Sequence, residues 1–131
     1  MDLQSIAPHI PRLRRYARAL AGDQHAADDL VQDTLERALN KHHLWRPGSD
    51  LRAWLFTIMH NVFVNQLRAR QAHPDAALDE DDLPAVPSVQ GARLEVRDLE
   101  SALALLPPEQ REIVLLVGLE QFSYAEAAKS L

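Results

Sequence analysis

The chain has 131 residues, no cysteine, and 14 Lys and Arg against 19 Asp and Glu, for a formal net charge of −5. That length predicts one domain or two small ones able to bury about two-thirds of the unfolded surface, and the missing cysteine excludes disulfide staples and thiolate metal sites. The start, Met1-Asp2-Leu3-Gln4-Ser5, has neither a basic nor an apolar leader region, and no apolar run approaches the ~18 residues of a membrane span, so the sequence reads as a soluble cytoplasmic protein.

Ile6, Ile10, Leu13, Ala17 and Leu20 predict a first amphipathic helix, with Pro8 and Pro11 near its start and Gly22-Asp23 as its stop. Arg12, Arg14, Arg15 and Arg18 line its outer side; a charged run on a helix is most often a solvated face, and the sequence assigns them no role. Asp23 is placed to cap a second helix from about Gln24 to Asn40, with Ala27, Leu30, Val31, Leu35 and Ala38 as its apolar stripe. Its other side shows Asp28, Asp29, Gln32, Asp33 and Glu36. Carboxylates at i, i+4 spacing repel one another, so this is either an ordinary acidic face or one that meets an external basic surface.

From Lys41 to Asp50 the helical period is lost, and Pro47-Gly48 marks a turn. Trp45, beside Arg46, either folds back over the core or offers a stacking face to an unpaired base. His42 and His43 do not make a metal site: adjacent residues point apart, and His9, His25, His60 and His73 have no ligand spacing. No serine is paired with a base in a catalytic motif and no glycine-rich phosphate loop occurs, so an enzyme is not expected.

Ser49 or Asp50 then caps a long helix through Arg70, with Leu51, Trp54, Leu55, Ile58 and Val62 along one stripe. At about 100° per residue, Asn61, Asn65 and Arg68 fall within roughly 60° of one another, with Arg70 just beyond. Such a strip of donors can touch bases and phosphates; on spacing alone, solvated surface is the commoner reading of a polar helix flank.

Residues 71–92 carry Pro74, Pro84, Pro87 and the run Asp79-Glu80-Asp81-Asp82, with five acidic residues and no Lys or Arg, and read as an acidic linker between lobes 1–70 and 93–131. The front lobe holds ten basic and seven acidic residues, so the negative excess lies mainly in the linker. Beyond it, Leu99, Ala102, Leu103 and Leu106 predict a helix stopped by Pro107-Pro108, and Ile113, Leu116 and Val117 a second one ending at Gly118. Ser123-Tyr124-Ala125-Glu126 fits a capping box opening a third.

Three blocks together resemble the extracytoplasmic-function group of the bacterial sigma-70 family. They are Ala27-Asp28-Asp29-Leu30-Val31-Gln32-Asp33-Thr34-Leu35-Glu36-Arg37-Ala38; Leu51-Arg52-Ala53-Trp54-Leu55-Phe56-Thr57-Ile58 followed by Asn61; and Leu105-Leu106-Pro107-Pro108-Glu109-Gln110-Arg111-Glu112 with Phe122-Ser123-Tyr124-Ala125-Glu126-Ala127-Ala128. The resemblance implies an all-α protein of two helical lobes: a region 2 bundle and an incomplete region 4 helix-turn-helix lobe that stops before its recognition helix. It implies that Asp29, Gln32 and Asp33 dock the clamp helices of the beta-prime subunit of core RNA polymerase. It further implies that the Trp45–Asp50 loop, with Asn61 and Asn65, reads and melts the minus-ten promoter element, the loop holding a flipped base. An anti-sigma protein would control such a factor, and no cofactor is implied.

His60, Asn65 and Ala69 depart from the residues frequent at those places, which leaves promoter preference open. A second reading is a sigma-mimicking regulator that sequesters an anti-sigma factor and binds no DNA. Such a module is normally fused to a receiver domain, which this sequence lacks, and it has no need of Asn61, Asn65, Arg68 and Arg70. An unrelated helical interaction protein is the third.

Overall fold

The computed structural model describes residues 3–72 and 91–131; the acidic run of the expected linker lies outside the described residues. Helix α1, Leu3–Ile6, passes through a 3-10 turn at Ala7–His9 into α2, Ile10–Ala21. Pro8 and Pro11 each sit in the first turn of a helical piece, where a missing N–H leaves no bond unmade, and they divide the single helix that the sequence predicts. Helix α2 ends at Gly22, whose φ of 75° is the left-handed conformation that a side chain would strain; its N–H donates to the Arg18 carbonyl at 3.0 Å.

The Asp23 carboxylate accepts the Ala26 N–H at 3.1 Å and opens α3, Gln24–Asn40. After a 3-10 turn at His42–Leu44, the Asp50 carboxylate accepts the Ala53 N–H at 3.2 Å and opens α4, Leu51–Ala72. Three helices follow in the second lobe: α5, Gly91–Leu105; α6, Pro108–Gly118; and α7, Tyr124–Ser130. Ser123 and Glu126 make the expected capping box in both directions, at 3.1 and 3.0 Å. Among the described residues there is no strand, and no helix is long and apolar enough to cross a membrane.

In the N-terminal lobe α3 packs on both α2 and α4. The periodic residues form its core: Ile6, Leu13, Ala17 and Leu20 meet Ala27, Leu30, Val31 and Ala38, with Leu55, Ile58 and Val62 from α4. Full burial of each large apolar side chain stabilises the fold by about 1.5–3 kcal/mol. Thr34, buried among them, satisfies its hydroxyl by donating to the Leu30 carbonyl at 2.7 Å.

Helix α4 buries more than the stripe its period suggests. Phe56, Met59 and Phe63 are also buried, on a side reached from Arg52 by steps of three and four. The C-terminal lobe covers that side: α6 packs against α2 and α7 against α4, and Leu115, Leu116, Phe122 and Ala127 join the same apolar cluster. The two lobes thus share a seam, a contact that the sequence leaves open.

The C-terminal lobe also departs from its predicted stripes. Leu99 is 62% and Leu105 79% exposed, while Leu103, near the end of α5, packs against the core and Leu106 after it is half-buried. On α6 the inward side is Glu112, Leu115 and Leu116, and Ile113 is left 45% exposed. On that side Glu112 meets His60 of the other lobe.

Candidate nucleic-acid and protein interface

Two polar surfaces stand on the N-terminal lobe, on different helices. On α4, Asn61, Asn65, Arg68 and Arg70 are all exposed, and the first three lie about 120–180° around the helix from the line of Arg52, Phe56 and His60 that faces the second lobe. Helical packing therefore puts this strip of amide and guanidinium groups on the solvent side.

On α3, Asp28, Asp29, Gln32, Asp33 and Glu36 are exposed. Their neighbours are weak ones: His25 lies 3.8 Å from Asp29, and the Gln32 amide donates to Glu36 at 3.4 Å. Asp33 has a stronger partner, the Gln66 side-chain amide of α4, which donates to it at 3.0 Å. Together with Arg37, Lys41 and Asn65 these two line an open groove of about 480 Å³ between α3 and α4, in which the acidic face and the promoter strip adjoin.

Between the two helices, Arg46 is exposed, and its carbonyl accepts both the Ser49 N–H at 3.1 Å and the Ser49 hydroxyl at 2.6 Å, which fixes the turn. Trp45 is half-buried, with its indole N–H shielded and without an acceptor among the described residues. The indole thus takes the folded-back position for much of its surface and still holds an unused donor.

The seam between the lobes contains functional-looking groups that sequence reasoning passed over. The His60 ring Nδ1 lies 2.8 and 3.0 Å from the two oxygens of Glu112, a hydrogen bond between an imidazole and a nearly buried carboxyl. Burial pushes the Glu112 carboxyl above its ordinary range, with Glu109 adding to the rise, and the hydrogen bond and charge of His60 oppose it. Burial, with Glu112 and Glu120 close by, likewise holds the Tyr16 phenol well above its usual range.

Arg15 donates to Glu120 at 2.9 Å, Arg52 donates to the Glu120 carbonyl at 3.0 Å, and the Arg52 guanidinium lies 4.1 Å from the centre of the Phe122 ring. Arg111 joins the C-terminal ends of two helices: it donates to the carbonyls of Leu103, Ala104 and Leu106 and, across the seam, to that of Leu20 at 2.8 Å. The recurrence of Arg52, Phe56, His60 and Phe63 at steps of four, four and three is the sequence signal for this second face. Among the described residues no group of three His, Cys, Asp or Glu is arranged to hold a metal ion.

Comparison with known proteins fits this architecture. The family described as the Sigma2 domain of PhyR matches residues 6–60, and the family described as region 4 of sigma-70 matches residues 97–131. The chain is 44% identical over 121 residues to the ECF RNA polymerase sigma factor EcfG of Rhodopseudomonas palustris, covering 91% of this chain and 66% of that protein. It is 36% identical over 124 residues to the phyllosphere-induced regulator PhyR of Methylorubrum extorquens, covering 95% of this chain and 40% of that protein. Less than two-thirds of either relative's length is therefore spanned. Among solved structures, the sigma factor RpoE of Bartonella quintana, in complex with the anti-sigma factor NepR, superposes with a TM-score of 0.78 at 37% identity, covering 97% of this chain and 80% of that one. The order of the two family matches, the shared helical fold and these identities place the chain in a single family: it belongs to the ECF sigma factors of the sigma-70 family.

Proposed function

We propose that this chain works as an ECF sigma factor, directing core RNA polymerase to promoters and initiating transcription by recognising and melting the minus-ten element. In this reading residues 1–70 are region 2, residues 71–92 the acidic linker and residues 93–131 part of region 4. Asp29, Gln32 and Asp33 dock the clamp helices of the beta-prime subunit, Asn61 and Asn65 read bases, Arg68 and Arg70 hold phosphates, and Trp45 and Arg46 border the flipped base. The observation that carries the proposal is the exposure of Asn61, Asn65 and Arg68 on the side of α4 opposite the interlobe seam. A buried or seam-facing strip could not meet DNA.

Replacing Asn61 and Asn65 together with Ala removes two amide groups of the kind that pairs bidentately with adenine. Each good base contact contributes about 1–3 kcal/mol of discrimination, so the double variant loses at least about tenfold in its preference for minus-ten over scrambled single-stranded DNA. Filter binding with the chain bound to core polymerase measures this; unchanged preference at unchanged polymerase affinity would remove these residues from the site.

A second reading has its own observation in its favour: the family matched over residues 6–60 is the one named for PhyR, and PhyR itself is 36% identical. In it the chain is a sigma mimic that binds an anti-sigma protein and no DNA. RpoE of Bartonella quintana was crystallised with the anti-sigma factor NepR, and either reading gives this chain a partner of that kind. Fluorescence anisotropy of the labelled chain with purified core polymerase separates the two: saturable binding supports the sigma factor, and a folded chain that binds an anti-sigma protein but no polymerase supports the mimic.

A further inference from the structure

We infer that Gln66 is a positioning residue for polymerase docking: its amide holds the Asp33 carboxylate in one place and leaves the charge free for a basic partner. The inference rests on the docking role proposed for the acidic face of α3.

On that face Asp29 and Glu36 have their partners on α3 itself, His25 at 3.8 Å and Gln32 at 3.4 Å. Asp33 differs. Its Oδ2 accepts the Gln66 amide of α4 at 3.0 Å, the one contact from this face to a second helix among the described residues. An exposed aspartate without such a tie exchanges among staggered rotamers. The bond to Gln66 selects one of them and holds it against a neighbouring helix.

The chemistry of the donor matters. Arg37 stands at i, i+4 from Asp33, a spacing that suits an ion pair, yet no ion pair among the described residues includes either of them. A neutral amide takes that place. A guanidinium or ammonium on Asp33 would cancel its charge before any partner arrived. An amide instead fixes one oxygen and leaves the negative charge, together with the second oxygen, for a charge-assisted bond to an incoming cation.

Gln66 is itself held. It is half-buried, and one turn before it on α4 stand Val62 and Phe63, both buried in the core. It borders two spaces at once: the open groove with Asp33, Arg37 and Asn65, and a cavity of about 60 Å³ lined by Leu20, Leu30, Phe63 and Leu67 among others. A side chain rooted beside core residues thus carries its amide to α3 from a fixed base. Such preorganisation lowers the ordering cost that association would otherwise meet. Asn65, the residue before Gln66, lines the same groove, so the bond also sets Asp33 in a fixed relation to the strip of Asn61, Asn65 and Arg68.

A double-mutant cycle on the full chain, read as affinity for purified core RNA polymerase by fluorescence anisotropy, tests this. Gln66→Met keeps the length and apolar stem of the side chain and removes the donor. It should weaken polymerase binding roughly two- to tenfold, the effect of one side chain left to be ordered on association. In an Asp33→Ala background the same substitution should change affinity by less than about twofold, because the group it positions is gone. Gln66→Lys still donates to Asp33 but neutralises it, so affinity falls at least as far as in Gln66→Met although the tie between α3 and α4 is kept. Helix content and urea midpoint stay equal throughout, since an exposed neutral hydrogen bond contributes little to stability. Three results would each overturn the inference while leaving the docking face in place: equal affinity of the parent and Gln66→Met, an equal loss in the Asp33→Ala background, or full affinity in Gln66→Lys. A folded parent chain that binds no polymerase overturns the proposed function, and this inference with it.

Discussion

Phe56→Ala destabilises the folded chain by about 3–5 kcal/mol, the range for deleting a fully buried aromatic side chain. The ring is 2% exposed and stands between two others, with interplanar angles of 86° to Tyr16 and 81° to Phe122. Edge-to-face pairs of this kind each contribute roughly 0.5–1.5 kcal/mol beyond area burial, so the loss belongs toward the upper part of the range. Alanine leaves a void that Tyr16 cannot close, because Tyr16 is itself held in the core of α2 and α3. Phe122 loses its seat as well, and with it the ring over which the Arg52 guanidinium lies. Urea unfolding followed by circular dichroism measures the effect, with Phe56→Leu as the size control retaining most of the stability. A loss below about 1 kcal/mol would mean that the ring is not the packing centre described above.

The position of Phe56 also shows where a sequence stops being legible. Within the N-terminal lobe the apolar period of α2 and α3, the Asp23 cap and the Gly22 stop all act over a few residues, and the structure has them where the residue pattern puts them. The capping box at Ser123 is of the same local kind. On α4, however, Leu55, Phe56, Ile58, Met59, Val62 and Phe63 span roughly 160° of the helix at 100° per residue. Reading one stripe out of that arc leaves Phe56, Met59 and Phe63 without a purpose. Their purpose lies in a lobe some fifty to seventy residues further on. Glu112, Glu120 and His60 are ordinary surface residues by type, and only contacts 52 and 105 residues apart make them interior ones. In the same way, Leu99 fits an apolar stripe by spacing, yet no described element covers it. The candidate site is legible for a related reason: exposed polar residues on a helix need only local geometry to share a face. The pairing of Gln66 with Asp33 across two helices could not be read, because it is a tertiary contact between residues 33 apart.

Reversing charge at both Asp29 and Asp33 abolishes docking to core polymerase if α3 is the docking helix, and it does so without unfolding the chain. Both carboxylates are exposed and neither supports the core, so Arg at these positions displaces nothing. The helix itself changes little. Asp29 and Asp33 repel each other at i, i+4 spacing and two arginines there would do the same; new repulsion between positions 33 and 37 is offset by attraction to Glu36. The one tertiary bond lost is the exposed contact of Gln66 with Asp33. At an interface the outcome differs greatly, since each reversal replaces an attraction by a repulsion in a region that excludes water. Close charge pairs across interfaces couple by about 1.5–7 kcal/mol. Two reversals therefore weaken association by at least about a hundredfold, and the weakened binding should lose most of its dependence on salt between low and physiological ionic strength. Anisotropy titrations of core polymerase against both proteins at two salt concentrations measure it, with circular dichroism confirming equal helix content. Equal affinity for the parent and the double variant would show that the acidic face of α3 is solvated surface, and the docking surface would have to be sought elsewhere on the chain.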